Sequence, residues 1–121
     1  MKKESRNIAK IEDDILSAGK TFLGQRLSDM LGRIAELDDR NLKNKLIEEY
    51  FYNQLGTYDK NIGGTRTRVN SVVRIIKSEK VLYALGLIDG SDIRVHPEAV
   101  ANAKDTIRKI ESGEILLPNL K

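Results

Sequence analysis

Residues 8–37 read IAKIEDDILSAGKTFLGQRLSDMLGRIAEL, and the spacing of their apolar side chains decides the fold class. Ile8, Ile11, Ile15, Ala18 and Phe22 recur at steps of three and four, the spacing of one α-helical face. The stripe then moves sideways by one residue to Leu23, Leu27, Met30, Ile34 and Leu37. One helix with two seams, or two helices meeting near Gly19, would account for the shift, since glycine is where helix propensity is weakest. The expectation is one long, interrupted helix.

The helical period continues downstream. Asp38 and Asp39 are N-cap types, and Leu42, Leu46, Ile47 and Tyr50 form the apolar face of a helix expected to end near Gly56. A loop over 57–64 holds Asp59, Asn61 and the glycine pair Gly63 and Gly64. In the helix that follows, Val69, Val72, Val73 and Ile76 share one face, and Arg66, Asn70, Arg74 and Lys77 line a flank beside it. The phase breaks near Ser78, which predicts a short helix capped by Ser78 and ending at Gly86. Asp89 and Gly90 make a turn dipeptide between apolar runs, so residues 87–95 read as a small hairpin or an irregular loop. Pro97 opens a last helix with Val100, Ala103, Ile107 and Ile110 on its core face and Gly113 at its close. The apolar tail with Ile115, Leu116 and Leu117 should dock on the body or on a partner.

Together these elements predict an all-α fold, a compact bundle of four to six helices forming a single domain over residues 1–121. A chain of this length buries roughly two thirds of its unfolded surface and needs no staples. There are no cysteines, which excludes disulfides and thiolate metal sites and points to a reducing compartment. The longest apolar run, residues 81–88, is too short to span a bilayer, and the first residues lack the apolar core of a signal peptide. A soluble, cytoplasmic protein without membrane contact is expected. Because the seam from Ile8 to Leu37 is longer than one small body needs, a homodimer is expected as well.

The net charge of +3 is weakly basic, and its distribution says more than its size. Residues 1–60 carry eleven basic and eleven acidic side chains, so the whole excess lies in the second half. Between Lys60 and Lys80 there are six basic residues against one acid, Glu79. With Gly64 or Thr65 as N-cap, the first-turn N–H groups would meet a phosphate alongside Arg66 and Arg68, the glycines allowing close backbone approach. The candidate contact set for nucleic acid or phosphate is therefore Gly63, Gly64, Thr65, Arg66, Arg68, Asn70, Arg74 and Lys77. Four of the six aromatic residues, Tyr50, Phe51, Tyr52 and Tyr58, fall within nine positions just upstream. Tyr50 and Phe51 fit the core face, whereas Tyr52 and Tyr58 are candidate base-stacking rings. The ordinary reading of the same features is a helix start with a solvated charged flank.

No complete catalytic or metal motif is present. Gly19-Lys20-Thr21 matches the end of a phosphate-binding loop, but Asp14 stands where that loop has its first glycine, and a helical pattern precedes it rather than a strand. The acidic pairs Asp13-Asp14, Asp38-Asp39 and Glu48-Glu49, with Glu36, resemble the carboxylate sets of all-α nucleotide pyrophosphohydrolases, which hold magnesium against a triphosphate. Those sets place a third carboxylate one turn after the pair, where this chain has Tyr52 and Asn53. His96, the one histidine, precedes Pro97 at a helix start and reads as structural. The order of basic helix, short helix and turn resembles a winged helix-turn-helix, lengthened between Val69 and Gly86. The expected function is a non-catalytic nucleic-acid or phosphate-binding module without cofactor. A protein-interaction or regulatory helical domain is the second reading, and a magnesium-dependent pyrophosphohydrolase-like enzyme the third.

Overall fold

The computed structural model describes the backbone of residues 2–55, 57–89 and 95–115, and the side chains of all of these except 2–9 and 89. Among them are seven helices: α1 (Lys2–Ala18), α2 (Lys20–Leu31), α3 (Ile34–Asp38), α4 (Arg40–Tyr52), α5 (Ile62–Lys77), α6 (Val81–Asp89) and α7 (Pro97–Glu111). The all-α class is as expected, with one helix more than the expected range. No described helix is long and apolar enough to cross a membrane.

The first helical stretch is two helices, not one. Gly19 separates them at φ 82° and ψ 134°, a positive-φ backbone open to glycine that costs an L-side chain about 1–3 kcal/mol. Its N–H still donates to Ile15 O at 2.8 Å and its carbonyl accepts from Leu23 N at 2.9 Å, so the chain turns without orphaning these two groups. The turn explains the sideways step of the seam. Ile11, Ile15 and Ala18 of α1 are buried as α1 packs along α5, while Phe22, Leu23, Leu27, Met30 and Leu31 are buried as α2 runs along α7. The described part of the seam is thus satisfied within one chain.

Helix α5 sits at the centre, touching α1, α2, α4 and α6. Its valines and isoleucines at 69, 72, 73, 75 and 76 are all buried, a wider apolar surface than one stripe. Ser78 closes α5 instead of opening α6, its N–H donating to Arg74 O at 3.0 Å. Glu79 follows at φ 60°, and α6 begins at Val81, which leaves Gly86 inside that helix. The phase break was read correctly and its polarity was not. Helix α6 runs to Asp89, so the expected hairpin cannot start at 87; residues 90–94 lie outside the described residues, as does the tail from Leu116 onward.

Two further boundaries follow from capping. Asp39 caps α4, accepting from Leu42 N at 3.0 Å, and α4 ends at Tyr52, not near Gly56, because the Asn53 side chain donates to Glu49 O. His96 caps α7: Nδ1 accepts from Glu98 N at 3.1 Å, with Pro97 in the first turn. The buried face of α7 is Ala99, Ala103 and Thr106, rotated from the expected one, with Val100, Ile107 and Ile110 half-buried. Gly24 sets that rotation. A Cβ there would lie 2.5 Å from Ala99 O, so α2 and α7 meet through a glycine and a small residue.

Gly19→Ala tests the break. The variant is expected to lose about 1–3 kcal/mol, since the positive-φ backbone and the contact described below both resist a methyl group. A thermal melt should show a fall of several degrees. An unchanged midpoint would mean that the two helices do not need a glycine at their junction.

Candidate nucleic-acid interface

The glycine pair lies inside α5. Asn61 is the N-cap, its backbone extended and its Oδ1 accepting from Gly64 N at 3.3 Å, which displaces Gly64 and Thr65 from the expected capping role. The replacement is chemically reasonable, because an asparagine side chain supplies the acceptor that a glycine lacks.

The anion beside this helix start is the chain's own. Asp59, held in the preceding loop by Gln54 through hydrogen bonds to its backbone N–H and carbonyl, turns its carboxylate onto the first turns of α5. Thr65 Oγ1 donates to Asp59 Oδ2 at 2.9 Å, and Arg68 Nε lies 3.1 Å from both carboxylate oxygens. A Cβ on Gly64 would come within 3.0 Å of Asp59 Oδ1, so the bare backbone is what admits the carboxylate. Arg68 Nη1 also donates to Ala18 O at 2.7 Å, capping the open end of α1, and a Cβ on Gly19 would lie 2.6 Å from that nitrogen. Gly64, Thr65 and Arg68 are therefore arranged as an anion cradle whose contents are Asp59. Gly63 sits beside the cap, its carbonyl accepting from Thr67 Oγ1.

The remaining candidates separate by helical face. Arg74 turns to α1, where Nε donates to Asp14 Oδ1 at 2.8 Å, and also donates to Ser71 Oγ. Arg66, Asn70 and Lys77, at positions i, i+4 and i+11, face α4 across an open cleft of about 570 Å³. Opposite them stand Arg40, Lys43 and Asn44 of α4, above Leu37 and Ile47. Four cations thus converge with one carboxylate, Asp38. Arg40 and Arg66 are exposed, with no carboxylate partner among the described residues. Lys43 is held by a neutral amide, donating to Asn70 Oδ1 at 3.0 Å. Lys77 lies 3.8 Å from Asp38, a pair whose two side chains are more than half exposed and whose attraction is correspondingly weak.

Arg40, Lys43 and Asn44 lie in the first sixty residues, where acids balance bases overall and hide a local excess. The run Arg40 to Lys45 contains three basic residues and no acid. An antiparallel reading of α4 and α5 would have set it against the basic flank. The candidate stacking rings stand apart from this cleft: Tyr52 is 77% exposed and Tyr58 89%, and neither lines it.

A second charged cluster draws in acids that the enzymatic reading would need. Arg33 donates to both carboxylate oxygens of Glu36 at 2.8 Å, to both of Glu49 at 2.8 and 3.0 Å, and to Asp29 at 3.1 Å. The hydrogen bonds from Arg33 hold the Glu36 carboxyl below its ordinary range. Its stabilising effect is present above the ordinary glutamate value and fades as pH falls through the lowered one. Tyr50 donates to Asp29 and carries Arg26 over its ring at 4.2 Å; burial first, then Asp29, raises its phenol. Among the described residues no group of three acidic or histidine side chains is placed to hold a metal ion.

Comparison of the chain with protein-family models, with curated proteins and with solved structures gives no match. The site is therefore read from its own chemistry.

Asp59→Ala tests the filled cradle. Removing the carboxylate leaves Arg68 and Thr65 without their partner, and a loss of about 2–4 kcal/mol is expected. Millimolar inorganic phosphate should raise the melting temperature of the variant more than that of the parent, at matched ionic strength. Equal responses would show that the position does not select an anion.

Proposed function

We propose that this protein is a non-catalytic nucleic-acid- or phosphate-binding helical module whose binding surface is the cleft between α4 and α5. The observation that carries the reading is the convergence of Arg40, Lys43, Arg66 and Lys77 from two helices on one concave surface with a single opposing acid. Cations gathered without compensating carboxylates repel one another, and a phosphate ligand relieves that repulsion. Asn44 and Asn70 add neutral hydrogen-bonding groups between the charges. Arg68 and Arg74 serve the fold, so the contact set narrows to Arg66, Asn70 and Lys77 and widens to include Arg40, Lys43 and Asn44.

A protein-interaction role is the second reading, and a separate observation favours it. Tyr52, Leu55 and Tyr58 are exposed within seven positions around the loop after α4. Exposed tyrosines with an aliphatic neighbour are a common anchor for a protein surface, a second copy of this chain included.

Titration of labelled nucleic acid across a salt series tests the first reading. Log affinity should fall linearly with log salt, with a slope of about −3 to −4 for four displaced counterions. Arg66→Ala should reduce that slope by roughly one. Asp38→Asn should tighten binding about two- to fivefold, as removal of a weak surface pair frees Lys77. Tyr52→Ala should leave affinity unchanged. Absence of binding at low salt would sink the reading and bring the tyrosine surface forward.

A further inference from the structure

Resting on the reading above, we infer that the ligand of the α4/α5 cleft is a single nucleic-acid strand, bound along its backbone over about five nucleotides, rather than a duplex. Three features of the cleft lead there.

The first is width. Packed helices lie with their axes about 8–10 Å apart, so the furrow between them is narrower than a duplex. The cations stand on both walls, Arg40 and Lys43 on α4, Arg66 and Lys77 on α5. A strand lying in the furrow meets all four. A duplex, whose own strands are separated by grooves about 12 Å and 6 Å wide, rests on the rims and presents its phosphates to one wall at a time.

The second is length. Arg66 and Lys77 are eleven residues apart on one helix, about 16 Å at 1.5 Å per residue. Along the axis of a stacked strand, where each nucleotide advances about 3.4 Å, that distance takes in about five nucleotides. One phosphate, or the phosphates of one nucleotide, would leave the far cations unused.

The third is the floor. Lys43 donates to Asn70 Oδ1, so Asn70, which lines the cleft, keeps its amide N–H₂ donors, and Asn44, also in the lining, carries both donor and acceptor. A bare polyphosphate has only acceptors and no use for the Asn44 carbonyl. The sugar and base edges of a nucleic-acid strand have both. No aromatic ring lines the cleft among the described residues, so discrimination between bases by stacking is not built in.

The test uses the full chain and labelled oligothymidylates of two to twelve nucleotides, the same lengths of oligouridylate, a twelve-base-pair duplex and an inorganic polyphosphate of matched charge. Affinity should rise with strand length and level off near five or six nucleotides. The single strand should bind at least tenfold more tightly than the duplex, with a salt slope near −3. Asn44→Ala should weaken strand binding severalfold and polyphosphate binding less, with the salt slope unchanged and its melting temperature confirming the fold. The two strand chemistries should differ little. Duplex binding as tight as that of the strand would overturn this inference while leaving the phosphate-binding reading standing. Polyphosphate binding as tight as the strand's, or weakened by Asn44→Ala as much as the strand's, would likewise overturn it. Loss of binding to every probe at low salt would remove the proposed function itself.

Discussion

Arg68 is the point on which the rest of the molecule depends. Its guanidinium joins three segments distant in sequence: Asp59 in the loop before α5, the first turns of α5 itself, and the carbonyl of Ala18 where α1 gives way to α2. The side chain is three-quarters shielded and Asp59 more so, a setting in which loss of either partner strands a charge away from water. Gly19 and Gly64 are both shaped around this ion pair, one at Arg68 and the other at Asp59. The pair thus sits where the first helical stretch divides, with α1 packed on α5 and α2 on α7.

Arginine chemistry elsewhere has the same logic. Arg33 ties α2, α3 and α4 together through three carboxylates, and Arg74 ties α5 to α1 through Asp14. A planar guanidinium with five donors suits such multi-point ties better than a lysine would. Once these are made, Arg40, Lys43 and Arg66 stand together in the α4/α5 cleft with no carboxylate partner among the described residues, beside Lys77 in its weak pair with Asp38. Function is proposed there because the fold has already engaged the alternatives. The charge excess of the second half of the chain thus serves two ends, and composition alone does not separate them.

Helix existence was legible from spacing wherever one face was clearly apolar, as in α4, α5 and the two seams before them. Caps were legible where the side chain competes for a backbone N–H on its own, as with Asp39 and His96. Errors arose where a tertiary contact chose between local options. Asn61 took the cap because its side chain supplies the acceptor that Gly64 lacks, and Asp59 fills the space beside Gly64. The core face of α7 rotated because Gly24 let Ala99 approach. Ser78 closed a helix instead of opening one, a choice that propensity does not resolve because serine serves at either end of a turn.

By itself the sequence determined the helical class, the position of most helices and the presence of a basic segment, since these rest on period, capping chemistry and charge within a few neighbouring residues. Only the tertiary structure decided which arginines are structural and which are free. Ion pairs and side-chain hydrogen bonds form across whatever segments the fold brings close, and Asp59 with Arg68, Asp14 with Arg74, and Lys43 with Asn70 span nine, sixty and twenty-seven positions. Local pattern carries no record of such pairings, so the apparent phosphate cradle proved occupied and the open cleft lay on the neighbouring face of the same helix.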